Sequence, residues 1–399
     1  MHILIIPSER YVPKDSPLEG IFQQCQAKAL KRAGYGVGII SPQWRSSRGL
    51  RQGLSGWPIG FRVEDDQGIP VFLYNSWPWI PPILWGKVWL WLQIGDTLFK
   101  RYVREHGRPD IIHAHNARFA GILASKIKER WGIPYVLTEH SSAYVRGLIR
   151  RWEIGYIQKA FRNADRKIAV SPSLGHTLEG ILGDAILPWE WIPNILDSLF
   201  ERNTLFRKVG DRCGQPFRFL HIGSLIRIKG QTDLLRAFAH KFRGEKDVEL
   251  RIGGEGPLRK ELRQLVRELN IADQVVFLGQ IEREAVFLEM KECDAYVHPS
   301  HYETFGVTLI EALACGKPVI ATACGGAECI VREGNGILVP PQDIEGLEEA
   351  MAQVRRGIQD YDAVLIRKDC IERFGSQTIA KQLSSVYEQV HGRSGKAMK

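Results

Sequence analysis

Three features of the sequence predict an α/β protein of two domains, each a parallel sheet with helices on both faces: its length, and two separate series of apolar strand-like runs interleaved with helical stretches. At 399 residues and 44% hydrophobic content, the chain is too long for one ordinary core. The first series of runs covers residues 3–6, 37–40, 111–113 and 135–137. The second covers residues 217–222, 249–252, 275–278, 295–297 and 319–321. The halves are similar in pattern without a close internal repeat. Between them, Ile192-Pro193-Asn194-Ile195-Leu196-Asp197 carries the Pro and Asn that favour a turn, and is the expected linker.

Composition narrows the class. Seven cysteines without paired spacing suit a reducing compartment better than a disulfide framework, and no zinc spacing is visible. The chain opens on an apolar strand with no signal segment, and no run of about 18 uncharged apolar residues is present. A cytoplasmic protein that does not span a membrane is expected. The net charge of +9 calls for an acidic partner, among which nucleotide sugars, lipid diphosphates, anionic bilayers and nucleic acids are equally served by charge alone.

The most informative stretch is His301-Tyr302-Glu303-Thr304-Phe305-Gly306-Val307-Thr308-Leu309-Ile310-Glu311. Phe305-Gly306-Val307-Thr308 opens a helix, whose free N–H groups and positive dipole end suit a diphosphate. Glu303 precedes that helix. Glu311 lies about two turns along it, where a carboxylate can accept two hydrogen bonds from vicinal hydroxyls such as those of a ribose. Gly316 ends the helix before a buried strand. This is the pattern of a sugar-nucleotide site, against the plain alternative of a surface helix with two solvated glutamates.

Over most of its length the chain resembles the retaining glycosyltransferases of family 4 (glycosyl transferases group 1), whose Glu-x7-Glu signature corresponds to Glu303 and Glu311. The resemblance extends to Asp294-Ala295-Tyr296-Val297-His298-Pro299-Ser300, Gly325-Gly326-Ala327-Glu328, Gly223-Ser224-Leu225-Ile226-Arg227-Ile228-Lys229-Gly230, Gly253-Gly254-Glu255-Gly256-Pro257-Leu258 and Val276-Phe277-Leu278-Gly279, in the family's order and approximate spacing. Each is weak alone, and the ordered set is strong. It implies the GT-B fold, two Rossmann-like domains with parallel sheets facing a central cleft. The expected divisions are an acceptor-binding domain over residues 1–191, a nucleotide-sugar domain over residues 192–375, and residues 376–399 as a C-terminal helix crossing back to the first domain plus a polar tail. Ile195 stands where the family has glycine in this linker, so the turn is expected to differ in detail.

The resemblance also implies roles. Lys229 would stabilise the negative charge that grows on a nucleotide diphosphate leaving group. The family's arginine after the first glycine of that loop is Ser224 here, so either Arg227 supplies a second charge or Lys229 acts with backbone donors. Gly20 matches the N-terminal glycine loop over the diphosphate, or simply starts a helix. Gly279, Gln280 and Ile281 match the segment whose backbone meets the base. Phe305, Gly306, Val307 and Thr308 would bind the diphosphate, Glu311 the ribose, and His140 a donor-sugar hydroxyl. Transfer would proceed with retention, without a metal or cofactor, with Glu303 holding donor-sugar hydroxyls. A second route makes Glu303 a nucleophile, as in retaining glycosidases. His113 and His115 share one strand face but find no third ligand in the sequence, and the resemblance implies a structural or cleft-edge role for the pair. Asp360-Tyr361-Asp362 mimics a metal-binding Asp-x-Asp in what reads as a solvated segment.

The donor is expected to be a nucleoside diphosphate hexose, UDP before GDP, and the acceptor a lipid-linked or polysaccharide glycan of cell-surface biosynthesis. Trp77, Trp79, Trp85, Trp89 and Trp91 precede Lys100, Arg101 and Arg104, and Tyr144 to Trp152 repeats the aromatic and basic mixture. Such a composition suits either a helix buried in the first domain or an element lying on an anionic membrane surface, which would make the protein peripheral at the inner membrane face. Two other readings stay open: a GT-B-type sugar-nucleotide epimerase or hydrolase, and a basic membrane or nucleic-acid binding protein. No nucleic-acid module is recognisable, so nucleic acid is not an expected partner.

Overall fold

The computed structural model describes residues 1–12, 20–44, 59–76, 86–203 and 214–397, and divides the chain into two compact units. The first unit comprises Met1–Val170, Leu174–Ile195 and Gln377–Lys399, and the second Ser171–Ser173 and Leu196–Ser376. All nine apolar runs singled out in the sequence are strands. Of the first unit's strands, β1 is His2–Pro7, β2 Gly36–Trp44, β3 Gly60–Asp65, β4 Pro70–Ser76, β5 Ile111–His115, β6 Tyr135–Glu139, β7 Arg166–Ala169 and β8 Glu190–Trp191. In the second, β9 is Phe217–Ile222, β10 Val248–Gly253, β11 Val275–Gly279, β12 Ala295–His298, β13 Val319–Thr322 and β14 Gly336–Val339.

The first sheet runs β3-β4-β2-β1-β5-β6-β7-β8 and the second β11-β10-β9-β12-β13-β14. One pairing corrects the expectation of wholly parallel sheets: β3 lies antiparallel to β4 at the edge. Only the four residues from Asp66 to Ile69 join them, closed by reciprocal backbone hydrogen bonds of 3.0 and 3.2 Å, and so short a turn allows no parallel crossover. The polar, exposed sequence of β3 carries no apolar run to betray it.

The inner strands β1, β5, β6, β12 and β13 are buried along almost their whole length because helices cover both faces of the sheets. In the second unit Phe219, Leu250, Ile252, Val297 and Ile320 pack against Leu234, Phe238, Leu262 and Met351 from the covering helices. In the first, Ile3, Ile5, Val37, Ile39 and Val136 pack with Ile379, Leu383, Val386, Tyr387 and Val390. Those last five belong to the helix Ser376–Ala397. Ile195 is 3% exposed in the same core and has no left-handed backbone, so this linker turn has no need of glycine.

Candidate active site

Strand order reverses at β9 and β12 in the second unit, and open parallel sheets bind ligands beyond the carboxyl ends of strands at such a point. The segment after β9 and the segment after β12 carry Lys229 and Glu303. They are laced together by the backbone of His301, whose N–H donates to Ile228 O at 2.8 Å, and by Tyr296, whose hydroxyl donates to Ile222 O at 3.0 Å. Gly230 has φ 68° and its Cα faces Pro299 O so closely that an added Cβ would stand 1.9 Å from it, so this approach requires glycine. His221 donates to Val297 O at 2.9 Å, and its other ring nitrogen faces the amide of Gln231, which donates to Ser224 O at 2.9 Å. Burial pushes His221 down to about 3, so this brace is neutral.

Lys229 Nζ donates directly to Glu303 Oε2, and His298 Nε2 lies 3.4 Å from the same oxygen. Burial alone would raise the Glu303 carboxyl, but Lys229 and His298 hold it well below the ordinary carboxylate range. Burial pushes His298 down in turn. The backbone of Glu303 is pinned on both sides: its N–H donates to Cys324 O at 2.9 Å, and its carbonyl accepts from Gly326 at 2.8 Å. A permanently charged carboxylate on a fixed backbone can accept hydroxyl protons, while the lysine beside it can meet phosphate oxygens.

The helix carrying Glu311 is Val307–Ala314, with Gly306 as its N-cap at φ 100°. Glu311 is 1% exposed, and its partner is not legible in the sequence. The Arg283 guanidinium donates through Nη2 to Glu311 Oε1 and through Nε to Asp197 Oδ2 at 2.8 Å, and lies over the Phe200 ring at 4.7 Å. Asp197 Oδ1 accepts from Leu199 N at 2.9 Å, capping the short helix Ser198–Arg202. Burial raises the Glu311 carboxyl and Arg283 opposes that rise. The other carboxylate oxygen, Oε2, is buried without a protein hydrogen bond, so the group retains a free acceptor. A carboxylate on an apolar helix demands a cation, and that demand was the available signal, although the sequence does not say which one answers it. Arg283→Met is expected to cost the second unit about 3–5 kcal/mol by stranding two buried carboxylates, and Arg283→Lys distinctly less. Urea unfolding at pH 7 checks this, and equal losses in both variants would contradict it.

Arg283 opens the helix Arg283–Glu292, immediately beyond Gly279, Gln280 and Ile281. Gly279 closes β11 at φ 71° and its carbonyl accepts from Gly254 at 2.7 Å. Arg227 is exposed in a single 3-10 turn, Arg227–Lys229, with Ser224 exposed before it.

Gly20 and His140 belong to the first unit. Gly20 caps the helix Ile21–Arg32 at φ 77°, where an added Cβ would meet Arg10 O at 2.5 Å. Phe22 of that helix packs on the His140 ring, with centroids 4.7 Å apart. His113 and His115 are not the separate pair the sequence suggested. His115 Nδ1 shares a hydrogen bond with His140 Nε2 at 2.9 Å, and His113 stacks on His115 at 4.4 Å. The cause is strand register: His115 pairs with Thr138, so His140, two residues on, returns to the same face. His113 is engaged by Gln26 at 2.9 Å, Tyr387 at 2.6 Å and Thr138 at 2.7 Å. Burial pushes His113 and His140 down to about 3 and His115 well below its usual value.

No cluster of metal-ligating side chains occurs among the described residues. Asp362 caps the helix Ala363–Phe374, accepting from Val364 and Leu365 at 2.8 and 3.1 Å, which accounts for the Asp-x-Asp pattern. The tryptophan stretch divides. Trp77, Trp79 and Trp85 lie outside the described residues. In the helix Gly86–His106, Trp89 is 58% exposed, whereas Trp91 is buried and donates to Pro42 O at 3.1 Å, so Trp91 is core and cannot face a membrane. Lys100 and Arg101 pair with Asp96 and Glu105 on their own helix at 2.7 and 2.8 Å.

Residues 203–362 match the family model described as "Glycosyl transferases group 1", and residues 26–198 the model "Glycosyltransferase Family 4". The chain is similar to the D-inositol 3-phosphate glycosyltransferase of Paenarthrobacter aurescens, 30% identical over 72% of this chain and 74% of that one. It is similar also to the putative teichuronic acid biosynthesis glycosyltransferase TuaC of Bacillus subtilis, 28% identical over 88% of this chain and 89% of the relative. Among solved structures it shares the GT-B fold of Anabaena HepE in complex with UDP, with a TM-score of 0.72, 21% identity, and 98% of this chain and 100% of that one covered.

Proposed function

Because this chain belongs to the group 1 glycosyltransferases, we propose that it moves a hexose-type sugar, with retention and without a metal, from a nucleoside diphosphate to a lipid-linked or polysaccharide acceptor of the cell surface. The observation that carries this reading is the Lys229–Glu303 pair beyond β9 and β12, with Glu311 on the helix that follows. Lys229, the N–H groups at the start of Val307–Ala314 and, on the surface, Arg227 hold the diphosphate. Glu311 accepts from ribose hydroxyls, and the backbone of Gly279, Gln280 and Ile281 meets the base. Glu303 accepts from donor-sugar hydroxyls, and Gly20 and His140 serve the donor from the first unit.

In the reaction the bond from the anomeric carbon to the diphosphate breaks, and the acceptor hydroxyl oxygen bonds to that carbon on the same face. The hydroxyl proton passes to the leaving phosphate oxygen, so no protein base is consumed. Lys229 and the helix N-terminus act most strongly as charge builds on the leaving group, which is where binding raises the rate.

The UDP in the HepE structure supports UDP ahead of GDP, and the role named for TuaC supports a cell-surface glycan. No helix among the described residues is long and apolar enough to cross a membrane. UDP at about 100 times its dissociation constant is expected to stabilise the protein by about 2.7 kcal/mol, with GDP weaker and ADP weakest. Thermal melts with each nucleotide test this, and no shift with any of them removes the transferase reading. Epimerase or hydrolase action would show instead as turnover of the donor with no acceptor present.

A further inference from the structure

Two neighbouring cavities lie in the first unit. One is polar, about 200 Å³, and lies beyond the carboxyl ends of β1, β5 and β6, where strand order reverses at β1. Ser8, Glu9, Asn116, Arg118, Glu139 and Ser141 line it. The other is apolar, about 420 Å³, and is walled by three helices: Trp89 and Leu92 from Gly86–His106, Ile122 from Ile122–Trp131, and Trp152 and Tyr156 from Arg151–Asn163. The cavities adjoin. Arg118, on the polar side, donates through Nε to Glu153 on the apolar side at 2.7 Å.

The polar cavity sets hydroxyl, amide and carboxylate groups among Phe119, Ala143 and Ile149. Asn116 donates to Glu9 at 2.5 Å and accepts from the His140 N–H at 2.9 Å. Glu139 is fixed by the N–H groups of Ala117 and Ser141, each at 2.9 Å, and by the Tyr144 hydroxyl at 3.0 Å. Two side-chain-bearing residues of its floor, Asn116 at φ 68° and Phe119 at φ 70°, hold conformations that L-residues adopt at a cost, as often occurs where a ligand is gripped. The groove has the opposite chemistry. Its helix Gly86–His106 already buries one face through Trp91, Gly95, Leu98 and Tyr102, and still presents Trp89 on another. Between the cavities runs the segment that carries Ala143, Tyr144 and Ile149 into the polar one. Its Val145 and Leu148 are 45% and 48% exposed, beside the exposed cations Arg146, Arg150 and Arg151, while Lys126 stands at the groove. Glu153, on the helix that Arg151 opens, is buried and already paired with Arg118.

We propose that the two cavities form one acceptor site for a lipid-linked sugar: the sugar in the polar cavity, the hydrocarbon in the groove, and the linking phosphate against the exposed cations of the intervening segment. This rests on the transferase reading and selects one of its two acceptor classes, since the groove wall is almost wholly apolar and a sugar chain laid along it would bury hydroxyls with few partners.

The test is calorimetric titration of the full-length protein with n-dodecyl β-maltoside, below its micelle concentration, and with maltose. Dodecyl maltoside is expected to bind at least 100-fold more tightly than maltose. Trp89→Ser and Tyr156→Ser, both exposed positions, should each weaken it by about tenfold or more, while Leu288→Ser, an exposed apolar residue of the second unit, should not. Stabilisation by UDP should be unchanged in all three variants. Equal affinity for maltose, or equal behaviour of Trp89→Ser and Leu288→Ser, overturns the proposal. So does flotation with anionic vesicles in a protein that ignores dodecyl maltoside, which would make the groove a membrane contact. A wild-type protein that binds dodecyl maltoside but is not stabilised by UDP keeps its groove and loses both the transferase reading and the acceptor role.

Discussion

Glu303→Gln is expected to lower transfer about 100-fold while leaving stabilisation by UDP intact. The substitution keeps the size of the side chain and its carbonyl acceptor, and removes the charge that Lys229 and His298 hold in the ionised state. A hydrogen bond to a charged acceptor is worth about 1.5–3 kcal/mol, or roughly 10- to 150-fold in rate when the contact tightens toward the transition state. UDP lacks the sugar and does not read that contact. Lys229, released from its partner, remains free for phosphate, so nucleotide affinity should hold or rise. The size of the loss also separates the two roles of Glu303. A clamp on sugar hydroxyls loses the amount stated, whereas a nucleophile replaced by an amide loses essentially all covalent chemistry, several further orders of magnitude. Single-turnover release of UDP from a UDP-hexose makes the measurement, and wild-type rates in the variant would remove Glu303 from the reaction.

The first unit should lose stability steeply below pH 6.5. His113 and His140 are buried and neutral, pushed down to about 3, and His115 lies well below its usual value for the same reason. In the unfolded chain all three take up protons near pH 6.5. Their folded values are depressed, so between about pH 6.5 and 3 the unfolded state binds more protons, and stability falls as pH falls. Each group contributes about 1.4 kcal/mol per pH unit once the unfolded form is protonated, or about 4 kcal/mol per unit for three. That is a large share of an ordinary domain's stability within two pH units. Glu139 works in the opposite direction, since burial raises its carboxyl and it takes its proton earlier in the folded state, offsetting part of the loss at the acid end. Thermal melts at pH 7.5, 6.5 and 5.5 should show the fall, and His140→Gln should remove about a third of its slope. A midpoint constant from pH 7.5 to 5.5 would contradict the neutral row.

The strands were legible where burial on both faces makes an apolar run, as in residues 3–6 or 319–321, and illegible where an edge leaves polar residues in place, as in β3. Lys229, Glu303 and Glu311 stood out because each sits in a spaced motif. Their pairing did not, because Lys229 and Glu303 are 74 residues apart and only the sheet order brings β9 beside β12. Arg283 carried no motif at all. The row from His113 to His140 needed the register of β5 on β6, which no single-sequence pattern contains. The tryptophans held a usable signal: Trp91, Gly95, Leu98 and Tyr102 repeat at helical spacing along one buried face, and Trp89 falls off it.

The helix Ser376–Ala397 follows the whole second unit in the chain yet supplies Ile379, Leu383, Val386 and Tyr387 to the core of the first, with Tyr387 hydrogen-bonded to the buried His113. Synthesis runs from the N-terminus, so the half of the protein that emerges first is the half completed last. Until the final helix leaves the ribosome, the face it will cover is apolar and the ring of His113 lacks the tyrosine. The second unit, contiguous but for three residues, has no such wait.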